Sequence, residues 1–423
     1  MIARRAPMAA WFAIVTLIGC REATQAPDPG QARHTLTSGV EADDGANVVT
    51  IDHLVPHVST VPANSGETVH LFVRERVRSN PGDGKPREAV LMIHGRSVPV
   101  LAAGELRYHD YDWAYWLASS GGFDVFMLDF QGSGRSPRPK MDDPCNIAAA
   151  QQQGLLIPNP LSATCPPSYG FTLNTAGSDL DELDRVVDYI RDLRGIDKVH
   201  LIGWSAGSFR IGAYGVQHPD KVASLLFFAP IFNAGIEPGF PVPPTNPPSP
   251  LPRLGTPMTL DTRAVLAAGW DAEVKCVDQR DPGIQDVVWA AIMENDELGR
   301  TWGPPPAGGP AGSPPEGVMR VRQLVQWGWN AEVAAQLEVP SLIIRGEFDT
   351  GLGGRQHLAE LYRLIRTDNK LRFTVQCAGH FMNWEKQRVI LHQISKEWIK
   401  HGRVGGFERG EFLVDTEGNL IAP

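Results

Sequence analysis

The chain has no apolar run long enough to cross a bilayer. Its longest, residues 8–18, is interrupted by Thr16 and falls well short of the roughly 20 residues a spanning helix needs. It also has no dense tract of Lys and Arg, and its 39 basic against 48 acidic side chains leave a net charge of -9. A surface that tracks a nucleic-acid backbone is therefore not expected. Cysteines are few, five in all, and no two have C-x-x-C spacing, so neither a zinc ribbon nor a dithiol redox motif is indicated. No internal repeat occurs. The 42% hydrophobic and 21% charged content is that of an ordinary globular protein, which sets aside disorder and fibrous folds for most of the 423 residues. That length suits one large domain or two ordinary ones.

The N-terminus differs from the rest. Arg4 and Arg5 precede the apolar run, which closes on Leu17-Ile18-Gly19-Cys20. Residues 1–20 thus read as a secretory signal. The ending resembles the lipobox of bacterial lipoproteins, which implies that Cys20 becomes the lipidated first residue of an exported protein anchored to a membrane and facing the periplasm or exterior. Several acyl chains at about 0.8 kcal/mol per buried methylene would hold such an anchor firmly. Ordinary cleavage near small residues, with Cys20 an incidental thiol, is the alternative. Residues 21–46 are rich in Ala, Asp, Gly, Gln and Pro and read as a solvated tether. Export would permit disulfides. Cys145 and Cys165 share one irregular insert and are the expected pair, closing a loop for about 3 kcal/mol. Cys276 and Cys377 could be bridged or free.

From residue 47 onward, short apolar runs bounded by turn residues alternate with helical patterns, the signature of a mostly parallel sheet covered on both faces. Candidate strands are 69–77, 89–93, 124–129, 199–203, 224–229, 340–345 and 371–376. A helix is well marked before the fourth, with Leu180, Leu183, Val186, Val187 and Ile190 at helical spacing and Arg194-Gly195 at its end. Residues 231–339 break the rhythm with two Pro-rich connections and helical patterns near 262–276, 284–298 and 318–337. They read as a helical cap between the two parts of an α/β core, 47–230 and 340–423.

Gly203-Trp204-Ser205-Ala206-Gly207 lies between a strand and a helix. A serine hydroxyl is a poor nucleophile unless a base takes its proton and donors await the charge on the substrate oxygen. A sharp turn there projects Ser205 from the sheet and leaves the N–H of Ala206 at a helix start. A base and an orienting acid should follow at later strand ends. Gly346-Glu347-Phe348-Asp349 and Gly379-His380 supply them, in the chain order Ser205, Asp349, His380. Glu347 is the rival acid. The second oxyanion donor is expected from His94-Gly95-Arg96-Ser97: the N–H of Arg96, or failing that of Ser97, with His94 structural.

Taken in order, His94-Gly95, Asp129 to Ser136, the serine corner, Gly346 to Asp349 and Gly379 to Glu385 resemble the successive signatures of the α/β-hydrolase family. The resemblance implies a mostly parallel eight-stranded sheet flanked by helices, with the cap after the sixth strand and no metal or organic cofactor. The insert at 137–176, the Pro-rich cap and the tail at 402–423, which suggests a small hairpin, depart from the usual pattern. Serine rather than aspartate at the corner points to attack on a carbonyl. A carboxylic-ester hydrolase acting on a small-molecule or polymeric ester comes first, with Trp204 and inward-facing cap tryptophans forming an acyl site. An aminopeptidase-like amidase using Glu294, Asp296 or Glu297, a carbon-carbon bond hydrolase of diketones, and a surface-anchored binding protein without chemistry are the alternatives.

Overall fold

The computed structural model describes residues 33–36, 48–79, 87–232, 234–235, 253–310, 312–323, 329–351 and 354–421. The expected signal peptide, Cys20 and most of the expected tether lie outside the described residues. Along the chain run strands β1 (Arg33–Leu36), β2 (Val48–Val58), β3 (Thr68–Arg78), β4 (Ala89–Ile93), β5 (Asp124–Leu128), β6 (Val199–Trp204), β7 (Val222–Phe228), β8 (Met258–Asp261), β9 (Met319–Arg322), β10 (Ser341–Gly346), β11 (Lys370–Val375), β12 (Arg409–Val414) and β13 (Leu420–Ile421).

Eleven of them form one sheet in the order β1-β2-β3-β5-β4-β6-β7-β10-β11-β12-β13. Neighbours from β5 through β12 are parallel, while β1, β2, β3 and the last hairpin pair antiparallel. The sheet is therefore wider than the eight strands expected. β1 falls inside the segment read as a tether and pairs instead with β2, and the tail adds β12 alongside β11 before turning back through β13.

Every residue of β4 and β5 is buried, because both faces of a parallel sheet are covered. Successive side chains alternate between two apolar clusters: Val90 and Met92 join one, Leu91 and Ile93 the other. Helix Ala176–Arg194 packs Leu183, Val186, Val187 and Ile190 into the second cluster, each contributing about 1.5–3 kcal/mol of burial. Thr175 and Ser178 form a capping box at its start, and Gly195 at φ 62° ends it.

The cap enters after β7, the sixth strand of the sheet counted along the chain from β2. Helices Arg263–Asp271 and Ile284–Glu294 fall where the sequence indicates them, but the cap is not wholly helical. Among its described residues the span 318–337 contains strand β9, paired antiparallel with β8, and a short helix, Ala331–Ala334. The insert at 137–176 is largely irregular, stapled by Cys145–Cys165, and its Met141, Ile147, Leu156 and Leu173 pack with Met258, Leu260, Trp302 and Val318 of the cap. A second disulfide joins Cys276 of the cap to Cys377 of the core.

Candidate active site

β6 lies between β4 and β7 in the middle of the sheet, and the chain leaves it abruptly. Ser205 adopts φ 52°, a left-handed conformation that is uncommon for a side chain other than glycine, and helix Gly207–Gln217 begins two residues later. The strained turn is held from both sides. The N–H of Ser205 donates to the carbonyl of Phe228 at 2.9 Å, and its own carbonyl accepts from the N–H of Ser208 at 3.0 Å. Gly203 and Gly207 flank it because nothing larger fits. A Cβ on Gly203 would sit 2.9 Å from the backbone of Gly207, and one on Gly207 would sit 2.9 Å from the carbonyl oxygen of His94.

β10 and β11 run side by side and end in the loops that carry Asp349 and His380. The Nδ1–H of His380 donates to Oδ1 of Asp349 at 3.0 Å, and the same oxygen accepts the N–H of Gly351 at 2.9 Å. Burial alone would push the imidazole down. The carboxylate charge and hydrogen bond of Asp349 outweigh it and raise His380 above its ordinary 6.5. Asp349 moves oppositely: burial pushes it up, but His380, Arg345 and the Gly351 N–H hold it below the usual carboxylate range. Glu347 is directed elsewhere, accepting the N–H of Cys377 at 3.4 Å.

Ser205 and His380 line one cavity of about 390 Å³. Gly95, Arg96 and Ser97 form its floor beside the serine, and Val98, Trp204, Ile231, Leu266, Met319, Val321 and Phe381 make most of the wall apolar. The loop at Gly95 passes against the corner, since a Cβ there would lie 3.4 Å from Cβ of Ser205. Arg210, itself paired with Asp179 at 2.7 Å, approaches the carbonyls of His94 and Gly95 at 3.4 and 3.5 Å. In a trans peptide the C=O and N–H point opposite ways, so the N–H of Arg96 is turned away from Arg210. The side chain of Arg96 reaches the cap, with Nη2 at 3.3 Å from the hydroxyl of Thr259 and Nη1 at 3.8 Å from Asp261. His94 is fully buried. Its Nδ1–H donates to the carbonyl of Gly95, Nε2 accepts from Phe130, and burial beside Arg210 and Arg322 keeps it neutral.

The structure thus brings Ser205, His380 and Asp349 to the same end of the sheet, after β6, β11 and β10, with Arg96 and Ala206 adjoining the serine. Cys20 lies outside the described residues. Trp204 lines the cavity, but the described cap tryptophans Trp270, Trp289, Trp302 and Trp329 do not, being buried in the apolar clusters. Glu294, Asp296 and Glu297 do not line it either; Asp296 is buried and ion-paired with Arg320 at 2.6 Å. The sequence reasoning missed Glu273, a buried cap carboxylate on the loops of Asp349 and His380.

A family model described as the alpha/beta hydrolase fold matches residues 88–387, and the chain belongs to that family. It is similar to a thermophilic esterase from Thermogutta terrifontis, at 16% identity over 83% of this chain and 99% of that one, with a TM-score of 0.46. It is similar also to a meta-cleavage product hydrolase from Pseudomonas fluorescens IP01, at 14% identity over 82% and 98% of the two chains, with a TM-score of 0.46. A shorter stretch of 44 residues is 46% identical to a poly(3-hydroxyalkanoate) polymerase subunit from Allochromatium vinosum, covering 10% of this chain and 12% of that protein.

Proposed function

We propose that the protein is a serine hydrolase that cleaves a carboxylic ester through an acyl-enzyme. The observation that carries this reading is the shared cavity of Ser205 and His380, with Asp349 bound to the far nitrogen of the imidazole. With Nδ1–H committed to Asp349, Nε2 keeps its lone pair and takes the proton of Ser205 as Oγ attacks the ester carbonyl. The N–H groups of Ala206 and Arg96 receive the charge on the carbonyl oxygen. As the tetrahedral intermediate collapses, the imidazolium returns the proton to the leaving alkoxide, and the acyl group stays on Ser205. Water activated by His380 then attacks the acyl-enzyme and releases the acid.

The apolar wall suits an acyl chain, and Glu294, Asp296 and Glu297 stand outside the cavity; Asp261, which does line it, lies 3.8 Å from the guanidinium of Arg96. We propose further that the protein is exported and anchored through Cys20, so that it meets external esters. Labelling with a fluorophosphonate tests the nucleophile: Ser205 should label and Ser205→Ala should not. A screen across acyl esters of graded length, amino-acid anilides and a β-diketone tests the bond cleaved. Turnover confined to the anilides or the diketone would replace the ester reading, and a chain that neither labels nor turns over any of them is a binding protein.

A further inference from the structure

Three segments meet at the base of the site, and only two belong to the core. The third is the cap turn just past helix Arg263–Asp271. Oε1 of Glu273 accepts the N–H of Thr350 at 2.7 Å and its hydroxyl at 2.6 Å, beside Asp349; Oε2 accepts the N–H of His380 at 2.6 Å. The preceding N–H, that of Gly379, donates at 2.8 Å to Glu385, whose other oxygen takes the indole N–H of Trp270 from the same cap helix at 2.9 Å. Gln279 winds the cap turn by accepting the N–H groups of Lys275 and Cys276 and donating to the carbonyl of Glu273. Cys276 is then bonded to Cys377, three residues before His380. Glu273 is 3% exposed, and among the described residues its carboxylate pairs with no Lys or Arg. A buried carboxylate held only by neutral donors is costly unless a cation forms nearby. The imidazolium of His380 is such a cation.

We propose that Glu273 is a positioning residue for the reaction: it binds the loops of Asp349 and His380 into one unit and favours the protonated imidazole, while the Cys276–Cys377 bond keeps the cap in place to do so. This rests on the Ser205, His380 and Asp349 reading above. The groups facing His380 are Asp349 and Arg345 from the β10 side, Glu273 from the cap and Glu385 behind its own loop. Glu385 is pushed up to about 7, chiefly by burial, and is a second titrating group beside the loop of His380. The imidazole itself is therefore followed.

The test uses the full chain with Glu273→Gln. Gln offers one acceptor where Glu has two, so one of the two loops loses its tie. The expected result is a kcat on a p-nitrophenyl ester lower by about 10 to 100-fold with KM changed less. With it, the pKa of His380, read by NMR in the Ser205→Ala background where no turnover is needed, should fall by about 0.5 to 1 unit. Both are required; a lower kcat with an unmoved pKa marks a merely structural role and overturns the proposal, as does an unchanged kcat. Should Glu273→Gln fail to fold, the Cys276→Ser/Cys377→Ser double variant decides: several-fold loss of kcat is expected, and wild-type kcat overturns the proposal. Turnover surviving Ser205→Ala would instead count against the underlying triad.

Discussion

Replacing Asp349 by Asn removes a charge without removing an acceptor, and the structure says which consequence should dominate. Two donors converge on Oδ1, the imidazole Nδ1–H and the N–H of Gly351. An Asn amide turned the other way would set its own N–H against that of Gly351, so its carbonyl should keep the place of Oδ1. The imidazole tautomer is then preserved, with Nε2 still open toward the cavity. What is lost is the attraction between carboxylate and imidazolium as the proton arrives. At about 4 Å and an effective dielectric of about 20 that attraction is about 4 kcal/mol. The 14% exposure of the His380 side chain reduces it somewhat, giving an expected fall of about 10² to 10³ in kcat/KM. The pH profile should move as well. In the wild type His380 lies above 6.5 despite its burial because Asp349 holds the proton on, so activity is lost as pH falls through that raised value. With Asn, burial and Arg345 prevail and the acid limb shifts to lower pH by about 1 to 3 units. The assay is kcat/KM on a p-nitrophenyl ester from about pH 5 to about pH 9. A loss of about 10⁴ or more with an unmoved limb would mean that the imidazole had flipped to its other tautomer, and the reasoning from Gly351 would be refuted.

Ser205→Ala and His380→Ala should each lower turnover by about 10⁴ to 10⁶, with the double variant scarcely worse because the residues act as a unit; additive losses would contradict the assignment. Gly207→Ala places a methyl 2.9 Å from the carbonyl oxygen of His94 and 3.0 Å from that of Ile93, neither of which can swing aside. It should lower stability by about 2 kcal/mol, measured as a drop in Tm, and turnover by at least about 10-fold; a wild-type Tm would mean that the turn is looser than described. Cys20→Ser should release the protein from membranes with activity intact, and fractionation that still finds it in the membrane would count against lipidation at Cys20.

The strands that could be read from the chain are those buried on both faces. β4, β6, β7 and β10 are dominated by apolar residues because a covered parallel sheet leaves little room for polar groups; the few present are bonded, His200 to Ser224 and Arg345 to the carbonyls of Gly346 and Asp349. β2 was not among the candidate strands although it has 11 residues, because Asp52, His53, Pro56 and His57 break its apolar pattern. The structure accommodates two of them by pairing. Asp52 takes two hydrogen bonds from Arg74, and His53 lies 2.9 Å from both Glu75 and the hydroxyl of Tyr189. β9 deceived for the same reason. Its sequence Met-Arg-Val-Arg reads as one turn of an exposed helix, yet Arg320 and Arg322 are buried on Asp296 and Asp179. Polar residues buried in pairs leave no periodicity, since each partner is distant in the chain.

The same distinction separates the two halves of the site. Ser205, Asp349 and His380 could be found because each follows an apolar strand and a glycine within a few residues, so local rules place them at one edge of the sheet. Glu273 carries no such mark. Its three donors are two backbone N–H groups and one hydroxyl, 77 and 107 residues away, and the bond between Cys276 and Cys377 spans 101 residues. The cap that supplies these contacts also supplies the cavity wall: Leu266 stands on helix Arg263–Asp271, with Trp270 bound to Glu385 on that helix and Glu273 two residues beyond its end. Reshaping the cavity wall at Leu266 should therefore displace the segment that holds the loop of His380. Substitutions that change chain-length preference at this position should alter kcat along with KM, while equivalent changes at Val98, on the core side of the cavity, should alter KM alone.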